Sequence, residues 1–145
     1  MLGLIQRVSH ASVEVDNKRI GEIAEGSLIL VGVQPSDTTS EVQKLGDKLL
    51  NYRIFADEEG KTNLSLQDIQ GGMLLVPQFT LAADTRKGLR PSFSSAAPPE
   101  LASRLFDELV AYSRSKYPKI ETGQFGADMK VNLTNDGPLT FLIEV

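Results

Sequence analysis

An α+β fold is the architecture this sequence predicts: mixed, largely antiparallel sheets forming a partly closed, barrel-like layer with two covering helices. Three observations carry that expectation. Strand-like segments outnumber helical ones along the chain, and only two stretches, beginning at Ser40 and at Pro98, repeat their apolar residues at helical spacing. The run Ser27-Leu28-Ile29-Leu30-Val31-Gly32-Val33 is apolar without interruption, as suits a central strand buried on both faces. With 145 residues and 41% hydrophobic content, the chain can fill one core but hardly two, so residues 1–145 are expected to form a single domain.

Element by element, Val8, Ala11, Val13 and Val15 among polar neighbours predict a pair of extended segments, which Ile20 to Ile23 continues beyond a polar turn at Asp16-Asn17-Lys18. Ser40 with Gln43 resembles a capping box, and Val42, Leu45, Leu49 and Tyr52 follow on one helical face. Arg53-Ile54-Phe55 reads as a short strand before the turn-rich Asp57-Glu58-Glu59-Gly60. Gly71-Gly72 introduces a core strand, Met73 to Leu81, interrupted by Pro77 and Gln78. After a loop from Asp84 to Ala97, Pro98-Pro99 opens a second helix with Leu101, Leu105, Leu109 and Tyr112 on one face, and Pro118 ends it. Ala127 to Leu133 and Leu139 to Val145 are the last extended segments.

Composition removes most chemistries. There is no cysteine, which excludes disulfides, thiolate metal sites and a cysteine nucleophile. His10, the sole histidine, lies in a strand-like segment without Ser-His-Asp spacing and reads as a surface residue. No cluster with metal-ligand spacing occurs, and no dinucleotide, phosphate-loop or nucleophile-elbow motif is present. Neither a metal nor another cofactor is expected. The start of the chain has no signal-peptide pattern and no apolar run reaches membrane-spanning length, so a cytoplasmic location without membrane attachment is expected. Net charge is -4, so contact with a polyanion would need a local basic patch.

Two polar interruptions of apolar segments remain, Pro77-Gln78-Phe79-Thr80 and Asn135-Asp136-Gly137-Pro138-Leu139-Thr140. From the residues alone the first reads either as a site or as an edge strand protected by proline. The second reads either as a site or as a hairpin turn with Pro138 at a strand start.

Taken with Gln6-Arg7-Val8, Ala82-Ala83-Asp84-Thr85 and Arg90-Pro91-Ser92-Phe93, these segments resemble the D-aminoacyl-tRNA deacylase family along the whole chain. That family carries Ser-Gln-Phe-Thr and Asn-x-Gly-Pro-(Val/Phe)-Thr motifs; here Pro77 replaces the serine. The resemblance implies a homodimeric hydrolase that edits aminoacyl-tRNA, releasing D-amino acids, and glycine, from the acceptor end. It implies that Gly137-Pro138 is a cis dipeptide that enters the partner subunit's site and excludes L side chains, a chiral proofreading wall. Gln78 and Asn135 would assist substrate binding, and Arg7 would brace the wall. Backbone N–H groups of Phe79 and Thr80 would hold the oxyanion while the substrate's own 2′-hydroxyl assists water. Arg86, Lys87 and Arg90 form a basic loop suited to RNA phosphates. Alternatives are a related deacylase that removes L-alanine from threonine tRNA, and a non-catalytic RNA-end binding domain.

Overall fold

The computed structural model describes residues 1–145. Its spine is β1 (Leu2–Val15), one 14-residue strand where the sequence suggested two segments. Asp16 and Asn17, with φ of 50° and 60°, make a two-residue turn whose twist matches the flanking strands. The chain then returns antiparallel along β1 as β2 (Lys18–Ile23) and β3 (Gly26–Gly32). The broken alternation along β1 reflects bulges: the register shifts at Val13/Glu14 against β2, and again around Val8 against the last strand.

Between β3 and the second half of the chain lie α1 (Thr39–Asn51), the hairpin of β4 (Phe55–Ala56) and β5 (Thr62–Leu64), and a single helical turn, α2 (Leu66–Ile69). β6 (Gly72–Pro77) runs parallel to β3; α3 (Pro99–Lys116) follows, and β7 (Ile120–Thr122) runs parallel to β6. The last strand, β8 (Lys130–Glu144), is antiparallel to β1 along nearly all of its length. The sheet order is β2-β1-β3-β6-β7 with β8 on β1. The sheet curls until β2 meets β7, where a Cβ on Gly21 would stand 2.9 Å from the Thr122 carbonyl oxygen. Closure is therefore partial, as expected.

Both faces of β3 and β6 are buried, which accounts for their unbroken apolar runs. Leu28, Leu74 and Val76 join Val8, Val13 and Ile23 in a small cluster inside the curl. Ile29, Val31, Met73 and Leu75 face the larger cluster beneath α1 and α3. The cap of α1 is Thr38 with Glu41, not the expected Ser40 with Gln43. Thr38 Oγ1 accepts the Ser40 N–H at 3.2 Å and the Glu41 carboxylate accepts the Thr38 N–H at 2.8 Å. A carboxylate in the first turn also meets the positive end of the helix dipole, which Gln43 could not do. The expected strand at Arg53 starts only at Phe55. At the chain's start, the Met1 ammonium is buried and donates to Asp37 Oδ1 at 2.7 Å, while Asp37 Oδ2 accepts the Gln34 N–H at 2.7 Å.

Candidate active site

β6 does not run on to Leu81. Pro77 is its last residue, paired with Val31, and the Gln78 N–H then donates to Val31 O at 2.8 Å as the chain leaves the sheet. Proline presents no N–H to continue a ladder, so the polar residues mark the end of a strand rather than its interruption. Phe79–Ala82 form a 3₁₀ turn, closed by the Leu81 N–H on Gln78 O at 3.1 Å. Phe79 and Thr80 precede that first turn bond, so their N–H groups lack a partner within it. The Gln78 side-chain amide donates to Thr80 Oγ1. No carboxylate, histidine or lysine is hydrogen-bonded to that hydroxyl, so nothing there would activate it as a nucleophile.

The second segment is not a hairpin. Residues on both sides of it pair with β1 in one direction: Thr140 opposes Gln6 and Asn135 opposes Val8. Asp136, Gly137, Pro138 and Leu139 therefore bulge out opposite Arg7 alone. Local turn chemistry suggested two strands facing each other, but the common partner β1 makes them one strand with an excursion. The Gly137-Pro138 peptide is cis, and Gly137 has φ of +148°. A Cβ at Gly137 would lie 2.9 Å from the Leu139 nitrogen and 3.1 Å from Arg7 Nη2, so only glycine fits.

Side chains fasten the bulge at both ends. Asn135 Oδ1 accepts the Leu139 N–H at 2.7 Å, and Asn135 Nδ2 donates to Thr140 Oγ1 at 2.9 Å. Arg7 Nε donates to Asp136 O at 2.8 Å, and its Nη1 donates to Ile54 O at 2.9 Å, tying the excursion to the segment before β4. Arg7, Asn135, Gly137 and Pro138 are thus one unit. Gln78, Phe79 and Thr80 form another, and no hydrogen bond joins the two within one chain.

Beside the 3₁₀ turn lies a cleft of about 300 Å³ lined by Pro77, Gln78, Phe79, Phe125, Gly126 and Met129. Phe125 and Met129 carried no sequence signal: they sit in the link after β7, and β8 begins at Lys130 rather than at Ala127. The basic loop is closed by paired hydrogen bonds between Asp84 and Ser92, at 2.8 and 2.9 Å. Arg86 is not a free cation within it. Its guanidinium grips both Asp84 carboxylate oxygens at 2.9 and 2.8 Å, and its N–H donates to Asp84 Oδ1 at 3.0 Å. The Arg86 side chain and N–H hold the Asp84 carboxyl well below the usual carboxylate range. Lys87 and Arg90 are exposed and form no ion pair. No group of three or more His, Cys, Asp or Glu is arranged to hold a metal, and no helix is long and apolar enough to cross a membrane.

Comparison with known proteins finds similarity along nearly the whole chain. The family model described as D-Tyr-tRNA(Tyr) deacylase matches residues 4–144. A D-aminoacyl-tRNA deacylase of Teredinibacter turnerae is 62% identical over 97% of both chains. One from Cellvibrio japonicus is 59% identical over 100% of this chain and 99% of its own. A solved structure named c-Myc DNA Unwinding Element Binding Protein superposes with a TM-score of 0.96 at 38% identity, over 100% of this chain and 99% of that one. With a family model spanning nearly every residue and full-length relatives this similar, the chain belongs to the D-Tyr-tRNA(Tyr) deacylase family.

Proposed function

We propose that this protein hydrolyses the ester between a D-amino acid and the terminal ribose of tRNA, with glycyl-tRNA also accepted. The observation that carries the reading is the main-chain bulge of β8, clamped by Arg7 and Asn135, in a chain whose full-length relatives are named D-aminoacyl-tRNA deacylase. Two chains complete the site, the Gly137-Pro138 main chain of one entering beside the Gln78–Thr80 turn of the other. In support of pairing, Phe141 and Leu142 on β8 are exposed, and β8 has a strand neighbour along one edge only.

In this arrangement the terminal adenosine takes the cleft between Phe79 and Phe125. The carbonyls of Gly137 and Pro138 accept the substrate's α-ammonium. With ammonium and ester fixed, an L side chain runs into the main chain, a D side chain points away, and glycine passes. Selection works by a clash and not by a fitted pocket, so many D side chains are admitted.

Water, positioned by the ribose 2′-hydroxyl, adds to the ester carbonyl carbon, and the N–H groups of Phe79 and Thr80 stabilise the oxyanion. One such donor contributes roughly 10²- to 10³-fold in rate. Collapse breaks the bond to the ribose oxygen, which leaves with a proton as the free tRNA hydroxyl, and the amino acid departs as its carboxylate. Pro77 supplies neither a hydroxyl nor an N–H, so no step uses that position. Lys87 and Arg90, with Arg86 held on Asp84, meet backbone phosphates. This substrate implies work in the cytoplasm.

The test is hydrolysis of D- and L-tyrosyl-tRNA by the purified protein. Turnover of the D ester with the L ester spared is expected. An L preference would indicate the threonine-tRNA relative, and stoichiometric binding without turnover would indicate an RNA-end binding domain.

A further inference from the structure

A second, more apolar groove of about 580 Å³ adjoins the cleft beside the 3₁₀ turn. The two share Phe79, Phe125 and Gly126, so they lie side by side. Its remaining wall includes Phe93, Ala96, Pro98 and Pro99, with no charged side chain. Phe79 and Phe93 are 54% and 47% exposed, unusual for rings of this size. Their centroids lie 5.3 Å apart at 48°, so the pair forms an open angle in which each ring keeps accessible surface.

We propose that this groove holds the base of the nucleotide preceding the terminal adenosine, with Phe93 as its stacking platform; the inference rests on the deacylase reading above. Three features favour a nucleotide over an apolar peptide. Open aromatic surface lies at the mouth of a cleft suited to the last nucleoside. Ser94 is the only side chain in the lining that can hydrogen-bond, so recognition would rest on the face of the base and not on its edge. Phe93 directly follows the loop that the Asp84–Ser92 pairing closes, and unpaired Lys87 and Arg90 on that loop offer charge to the adjoining phosphate. The groove therefore extends the substrate contact by one nucleotide, without choosing which base is there.

The experiment compares three 3′-esters of one D-amino acid: on adenosine, on cytidylyl-adenosine, and on the same dinucleotide lacking the cytosine base. Stacking of one base predicts that kcat/KM for the dinucleotide exceeds that for adenosine by roughly 5- to 150-fold. Most of that gain should vanish with the abasic dinucleotide and in Phe93→Ala. Taking the ratio cancels any change that Phe93→Ala imposes on both esters alike. Phe93→Leu, which keeps apolar volume but no ring, should fall between. Calorimetry with unreactive cytidylyl-adenosine, its abasic counterpart and adenosine on the wild-type protein reads the same ratios without turnover or a variant. An abasic ester that keeps the full gain, a Phe93→Ala ratio equal to wild type, or equal calorimetric affinities would overturn the proposal. So would a Phe93→Ala variant whose defect instead follows the size of the D side chain. Failure to hydrolyse any of the esters would count against deacylation, whereas the calorimetric ratio would still decide the subsite.

Discussion

Replacing Arg7 with alanine removes the side chain that ties the β8 bulge to the segment before β4. The guanidinium donates to two carbonyls, Asp136 O at 2.8 Å on the excursion and Ile54 O at 2.9 Å before β4. A hydrogen bond involving a charged group contributes about 1.5 to 3 kcal/mol, and the exposed bond to Asp136 O belongs at the low end. The bond to partly buried Ile54 O is the costlier loss, because that carbonyl keeps only limited access to water. Only the bond to Asp136 O reaches the wall directly, so the wall itself loses roughly 1.4 to 2.8 kcal/mol of support. Since about 1.4 kcal/mol is a factor of ten, the preference for D- over L-tyrosyl-tRNA should fall by roughly 10- to 100-fold. Arg7→Lys should lose nearly as much, because a single ammonium cannot present two donors in the geometry of the planar guanidinium. The assay is kcat/KM for both esters, alongside thermal unfolding. A D-to-L ratio within twofold of wild type in Arg7→Ala, with only the melting temperature lowered, would show that the clamp supports the fold and plays no part in selection.

Other outcomes follow from the same geometry. Asp37→Asn leaves the buried Met1 ammonium without its carboxylate and should cost about 3 to 5 kcal/mol, read from the midpoint of urea denaturation. Thr80→Ala removes a hydroxyl but keeps the amide, so deacylation should persist within a few fold; a loss of a thousandfold or more would indicate that the Thr80 hydroxyl is the nucleophile. A substrate whose terminal ribose lacks its 2′-hydroxyl should not turn over. Asp84 has a depressed carboxyl pKa in the folded protein, so the stability it contributes is present at neutral pH and disappears only as pH falls through that lowered value. Carboxyl NMR should therefore find Asp84 still ionised at pH 4, with the basic loop closed, and a titration near that pH would contradict the clasp.

Burial on two faces leaves a mark in composition, which is why β3 was legible as a central strand from Ser27 to Val33. Both long helices were legible from their apolar spacing, although the Thr38–Glu41 pair, better placed electrostatically than Ser40–Gln43, sets the start of the first. Bulges hid the continuity of β1, because each extra residue flips the alternation that identifies a strand. Asn135-Asp136-Gly137-Pro138 has the residues of a hairpin turn, and only the distant pairing of both flanks with β1 shows it to be an excursion. The grip of Asp84 on Arg86 depends on side-chain placement that charge counting cannot see. Phe125 reaches the cleft because of where β7 ends, a matter of topology with no local signature.

The excursion in β8 presents peptide carbonyls, and point mutation cannot delete a carbonyl. Genetic drift can exchange side chains around it, yet this main-chain surface survives any exchange that leaves the two flanking ladders and their fasteners in place. On the proposed reading, handedness discrimination would be slow to erode in evolution, and its vulnerable positions would be the supports, Arg7 and Asn135, together with Gly137, where added bulk has no room.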